Sequence, residues 1–211
     1  MVLYIEVELV DCIDRTNSLG APTFQELALG VHAKAQVFHF DAQWRHDAED
    51  MLKAMRAHFP VGISPRSVDP AGARFHALLS AKGKHYRYRA VEGWAMPEED
   101  RFVLSLKKRK PDLERMQEAA EYLVGSHDFS SFSASRGMEE DESKVRTVWR
   151  IKVARKGAML EIDALGKGFL YKMIRSIAGA LLDVGCGKIE PVQLKEILMR
   201  KKRTEEVVSA P

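Results

Sequence analysis

Two alternating runs and one broad apolar stripe constrain this chain most. Residues 145–154 and 158–164 form a strand pair with Lys156-Gly157 as the turn between them, the pattern of a β-hairpin. Residues 169–184 follow almost at once. There Phe169, Leu170, Met173, Ile174, Ile177, Leu181 and Val184 fall on one face at helical spacing, with Lys172 and Arg175 opposite. A hairpin followed by a helix with a wide apolar face calls for sheet and helix around a shared core, an α+β architecture.

The same mixture recurs upstream. Leu3, Ile5, Val7 and Leu9 alternate with Tyr4, Glu6 and Glu8, which predicts a half-buried strand. Residues 11–23 are polar and punctuated by Gly and Pro, as a loop is. A second strand is expected over 35–40. A helix over 47–58 has Asp47 as its cap and Met51, Leu52, Met55 and Phe59 as its stripe, and Pro60 ends it. A short strand is expected at 64–68, and two extended pieces within 74–91. The second piece, His85-Tyr86-Arg87-Tyr88-Arg89, places both tyrosines on one face and both arginines on the other. Residues 92–110 carry Gly93, Pro97 and a basic run and serve as the candidate domain junction. Pro111 suits the start of a helix whose stripe is Leu113, Met116, Ala120, Leu123 and Val124, with Gly125 as its stop. An acidic loop is expected at 135–143 and a last amphipathic helix at 191–201.

A length of 211 residues fits one large domain or two small ones sharing a core. The formal net charge is only +3, but Lys107-Lys108-Arg109-Lys110 and Arg200-Lys201-Lys202-Arg203 are tight basic runs. Such runs attract polyanions by releasing counterions, and equally they are ordinary solvated surface. Cys12 and Cys186 make no disulfide framework, and the opening residues lack the features of a signal peptide, so a reducing, cytoplasmic setting is expected. No run reaches the roughly 18 apolar residues that span a bilayer. His32, His39, His76 and His127 match no common zinc spacing, so no metal is expected, and His39 reads as a structural histidine. Taken singly, Tyr86 and Tyr88 fit any half-buried strand, and Arg175 fits any solvated helix face.

The order of several blocks points further. Gly30-Val31-His32-Ala33 runs into Gln36-Val37-Phe38-His39-Phe40. Arg74-Phe75-His76-Ala77 is followed by Ser80-Ala81 and Tyr86-Arg87-Tyr88. Then come Gly125-Ser126-His127-Asp128-Phe129-Ser130-Ser131-Phe132 and Arg146-Thr147-Val148. Gly168-Phe169-Leu170, Met173-Ile174-Arg175 and Ile177-Ala178-Gly179 come next, and Arg203-Thr204 and Ala210-Pro211 close the series. In this order, over about residues 30–211, the chain resembles the tRNA pseudouridine synthase A family.

The resemblance implies the pseudouridine synthase fold: two sheet-plus-helix halves whose strands form one continuous, mainly antiparallel sheet across a central cleft. It divides the chain into an unmatched segment 1–27, an N-terminal catalytic half 28–108 and a C-terminal half 109–211 that lacks the family's last strand. It implies conversion of uridines in the tRNA anticodon arm to pseudouridine: the N1–C1′ bond breaks, the base turns, and C5 rejoins C1′. No cofactor and no metal are implied; the partners are tRNA and a second copy of the chain. Tyr86 matches the tyrosine that faces the base, and Arg175 the arginine that pairs with the catalytic aspartate. His32, Arg74, His76, Lys82, Lys84, Arg87, Lys107, Lys108 and Arg109 are the expected RNA contacts. The family's nucleophile motif reads Arg-Thr-Asp-Ala-Gly-Val-His, and here Glu26-Leu27-Ala28-Leu29 stands before Gly30. Ala28 therefore occupies the aspartate position, and a methyl group neither attacks carbon nor accepts a proton. Glu26, two residues away on an extended segment, and Asp41 are the alternative acids. Three readings stay open: an incomplete or mis-spliced form of the enzyme, an RNA-binding paralogue without catalysis, and a structural subunit of the same fold.

Overall fold

The computed structural model describes residues 2–9 by their backbone pairing, and 32–100, 102–134 and 143–210 in full. The expected loops at 11–23 and 135–143 fall wholly or almost wholly outside these residues, and so does position 28. The chain divides into two compact units, 1–81 and 82–211. The stretch 92–110, expected as a junction, lies within the second unit.

The first unit is a three-stranded antiparallel sheet with one helix. β1 (Val2–Leu9) is central, between β2 (Ala33–Asp41) and β3 (Ile63–Ala71). Ile5 lies opposite Phe38 on one side and Val68 on the other. β3 is longer than the 64–68 expected; it carries Pro65 and Pro70, which an edge strand tolerates because no partner awaits their missing N–H. α1 (Ala48–His58) is capped by Asp47, whose carboxylate accepts from the Asp50 N–H at 2.8 Å. Met51, Phe38 and Val68 are buried together, with Leu52, Met55 and Phe59 packed around them.

The second unit is a five-stranded sheet, in order β5-β4-β8-β7-β6, with helices on one face. β4 (Lys84–Val91) pairs with β8 (Met159–Gly166), which pairs with β7 (Val145–Lys156). The predicted hairpin is present, one residue out of place: Lys156 pairs with Met159, so Gly157 and Ala158 form the loop, and Gly157 adopts the left-handed φ of +59° that such tight loops need. β5 (Leu104–Ser105) pairs with β4 in parallel. β6 (Gly125–Asp128) has no counterpart among the expected strands; it is short and polar, without alternation to announce it.

α2 (Leu113–Glu121), α3 (Met173–Gly185) and α4 (Pro191–Met199) cover that sheet. Asp112 caps α2, and a Glu190/Gln193 capping box opens α4. The core joins Val148, Val153, Leu160 and Ile162 of the sheet to Met116 and Leu123, to Ile177 and Leu181, and to Leu194. Two predicted boundaries move. α3 starts at Met173 instead of residue 169, because Lys172 takes a left-handed φ of +56° that breaks the helical run. The first extended piece expected within 74–91 is a series of turns, tied by the Phe75 N–H to the Gly72 carbonyl and the Ser80 N–H to the His76 carbonyl. Among the described residues the ladders run as sets of three and five strands, and pairing is antiparallel apart from β5, in keeping with the mixed α+β, mainly antiparallel architecture expected. No helix among these residues is long and apolar enough to cross a membrane.

Candidate nucleic-acid site

Alternation along β4 decides what its side chains meet. Tyr86 and Tyr88 share one face, Tyr86 against Phe169 and Tyr88 against the core, and His85 and Arg87 share the other with Asp163. The Tyr86 ring stands edge-on to Phe169, with centroids 5.4 Å apart and planes at 89°, the T-shaped contact that aromatic quadrupoles favour. Burial raises the Tyr86 phenol above its ordinary value, so it keeps its proton through neutral pH. Phe169 reaches this position because it precedes α3 rather than belonging to it. Gly166 opens the space: a Cβ there would lie 3.1 Å from the Phe169 ring and 2.7 Å from the Thr147 carbonyl.

Tyr88, two residues on, is flanked by positive charge. Burial pushes its phenol up to about 12, against the opposing influence of Arg175 and Arg109. An unfolded tyrosine ionises near pH 10, so this contribution to stability is complete below that pH and is lost as pH rises towards 12. The expected result is alkaline unfolding steepest between about pH 10 and 12, with Tyr88→Phe removing up to about 2 kcal/mol of that dependence once the ring's partial exposure is allowed for. Denaturant titrations at pH 8 and pH 11 measure it.

Arg175 lies in the first turn of α3. Its Nε donates to the Ala210 carbonyl at 2.8 Å, and the Ala210 N–H donates back to the Arg175 carbonyl at 2.9 Å. Tyr86, Tyr88, Phe169 and Arg175 thus lie on the helix-covered side of the second unit's sheet. Position 28 is outside the described residues.

The expected RNA contacts divide by environment. Lys82 and Arg74 are exposed, and Lys84 is half-buried. Arg87 is engaged on the opposite face: its Nε donates to Asp163 Oδ1 at 2.9 Å and its Nη2 to Asp163 Oδ2 at 3.2 Å, with Glu161 at 3.5 Å. Burial works to raise the Asp163 carboxyl, but the hydrogen bonds from Arg87 and His85 prevail and hold it below the usual carboxylate range. A phosphate reaching Arg87 must therefore compete with a forked carboxylate pair. Lys107 is exposed, joins a backbone bridge with Gly93, and places its Nζ 4.9 Å from the Trp94 ring centroid, a cation–π contact. Lys108 and Arg109 are also exposed, and Arg109 Nε donates to the Leu106 carbonyl.

In the first unit His32 is exposed just before β2. His39 and His76 have ring centroids 4.6 Å apart. His39 Nδ1 accepts from the Ala77 N–H at 3.3 Å, and His76 Nδ1 from the Leu78 N–H at 3.2 Å. Both imidazoles therefore shape the 72–81 turns, and His39 is the structural histidine expected. Among the described residues no group of three or more His, Cys, Asp or Glu side chains is gathered as a metal ion requires.

Three partners carry no clear sequence signal. Phe169 continues the apolar stripe of α3 in sequence. The Ala210 carbonyl is backbone and carries no residue-type signal. Asp163 lies directly opposite Arg87 in the β4–β8 register, and only that register reveals the pair.

A profile described as tRNA pseudouridine synthase matches residues 119–211. A tRNA pseudouridine synthase A of Geobacillus kaustophilus is 40% identical over 185 residues, covering 86% of this chain and 70% of the relative. The protein of the same name from Bacillus licheniformis is 38% identical, covering 86% and 73%. That from Chlamydia trachomatis is 39% identical, covering 86% and 68%.

Proposed function

The chain belongs to the tRNA pseudouridine synthase A family, isomerases by class, and from that membership we propose that it binds tRNA and offers Tyr86 as the platform for an extruded uridine. The observation that carries this is the Tyr86 ring held edge-on by Phe169, on the same strand face as Tyr88, whose phenol feels the charge of the α3 arginine. A duplex hides its bases, so an enzyme acting on one must unstack it and supply a new surface. Aromatic stacking returns about 1–3 kcal/mol per base, of the order of the unstacking cost. Phosphates meet Lys82, Lys84, Arg74, His32, His76 and the 107–109 run through charge and shape rather than base edges, with Arg87 reached by exchange with Asp163.

In this reading residues 28–108 form the catalytic half and 109–211 the half that brings Arg175. Arg175 is the ion-pair partner of the catalytic carboxylate. With Ala28 at that position the partner is a methyl group, so isomerisation by this form is impaired while RNA binding is retained. The chain works in the cytoplasm as a homodimer, with one tRNA touching both subunits. Ala28 is also the observation that favours a second reading, an RNA-binding or structural relative of the same fold that does not catalyse.

Salt-dependent titration with tRNA separates these. One phosphate for each of the six cations, Lys82, Lys84, Arg74, Lys107, Lys108 and Arg109, gives a log–log slope of about −4 to −5, at roughly 0.7–0.9 per phosphate. Tyr86→Ala is expected to weaken binding about 5- to 100-fold at constant slope, since stacking is independent of counterions. A flat salt dependence would favour the structural subunit.

A further inference from the structure

The stretch 203–210 crosses the first turns of α3 as a strap, and its attachments converge on one guanidinium. Arg203 Nη1 donates to Ser176 Oγ at 3.0 Å; Arg203 Nη2 donates to Ser209 Oγ at 3.0 Å and to the Val207 carbonyl at 2.9 Å. Ser176 and Ser209 hydroxyls lie 2.9 Å apart, and Ser176 is fully buried. Gly179 lets the strap lie flat, because a Cβ there would collide with the Val208 carbonyl. Ahead of the strap, the Lys202 N–H donates to the buried Ser131 hydroxyl, which itself donates to the Ile197 carbonyl at 2.6 Å. The strap delivers the reciprocal pair between Ala210 and Arg175.

We infer that Arg203 is a positioning residue: by bridging Ser176, Ser209 and the Val207 carbonyl it fixes the strap, and the strap's Ala210 carbonyl fixes the direction of the Arg175 guanidinium. This rests on the functional reading of Arg175 given above. Three acceptors in different directions suit a planar fork with several N–H groups. A lysine at the same place keeps the charge but offers one nitrogen. Arg203 touches no reacting atom in this account; it acts only through Arg175.

The test has two independent readouts. Nitrogen-15 NMR on Arg203→Lys follows hydrogen exchange at the Arg175 Nε–H, and a rise of about tenfold is expected as that bond opens more often. In the Ala28→Asp background the same variant is expected to lose about 10²-fold in kcat, the scale of a misplaced catalytic group, with tRNA affinity within about twofold of its parent. Ser209→Ala removes one leg of the fork without altering charge and is expected to move exchange in the same direction, so poor folding of one variant does not spare the idea. Unchanged Arg175 exchange in a folded Arg203→Lys or Ser209→Ala protein overturns the inference. A separate control judges the parent reading: Arg175→Lys leaving kcat intact in the Ala28→Asp background would sink the role of Arg175 while the exchange data still decide that of Arg203.

Discussion

Ala28→Asp is expected to raise release of tritium from tRNA labelled at C5 of uridine by at least about 10³-fold, the scale on which removing a covalent nucleophile acts. Loss of the C5 proton reports the rejoining of C5 to C1′, so the assay follows the whole isomerisation. A carboxylate suits the chemistry because it bonds to an electrophilic carbon and leaves again. The expected pairing with Arg175 keeps it ionised, since a nearby cation favours the charged form. Ala28→Asn is the matched control: similar in shape, uncharged, and expected to leave activity at the Ala28 level. No product from the aspartate variant, despite intact tRNA binding, would mean that restoring the carboxylate does not complete the site.

Tyr86→Phe, made in the Ala28→Asp protein, is expected to lower turnover by about 10²–10⁴-fold, the usual worth of a positioned proton-transfer group. The phenylalanine keeps the edge-on contact with Phe169 and the stacking surface, so tRNA affinity is expected to stay within about twofold of the parent. The variant thereby separates the hydroxyl from the ring, which Tyr86→Ala does not. The sign of the raised phenol value matters here. Below it the group is a neutral O–H donor, so the contribution of Tyr86 persists across the neutral and mildly alkaline range and is lost only as the phenol ionises. Equal kcat in the Phe and Tyr proteins would leave Tyr86 as a stacking platform alone.

Sequence reached the fold wherever side chains carry a period or a cap. Asp47 at the start of α1, the hairpin around Gly157 and the Pro191 opening of α4 are local signals, and the structure keeps them. It fell short where three-dimensional context decides. Gly125-Ser126-His127-Asp128 has too few residues and too little alternation to announce a strand, yet it pairs along β7 from Val148 to Val145. Phe169 and Leu170 continue the apolar stripe of α3 in sequence, but the left-handed Lys172 turns them out of the helix, and that turn gives Tyr86 its partner ring.

The site shows the same division. The i, i+2 spacing of Tyr86 and Tyr88 set their common face, whereas the partners of Arg87 and Arg175 depended on strand register and on a distant backbone carbonyl. Arg87 illustrates the cost: expected from sequence as an RNA contact, it is forked onto Asp163. The positioning of the α3 arginine rests on contacts about 30 residues away in sequence, which no local pattern encodes.

The central claim is that a uridine of the anticodon arm comes to rest on the Tyr86 ring. Photocrosslinking measures this directly: tRNA carrying 5-iodouridine in the anticodon arm is irradiated with the protein, and the modified peptide is mapped by mass spectrometry. The account predicts an adduct on the tryptic fragment His85-Tyr86-Arg87, lost in Tyr86→Ala. Efficient crosslinking confined to other peptides, unchanged by that substitution, would contradict it.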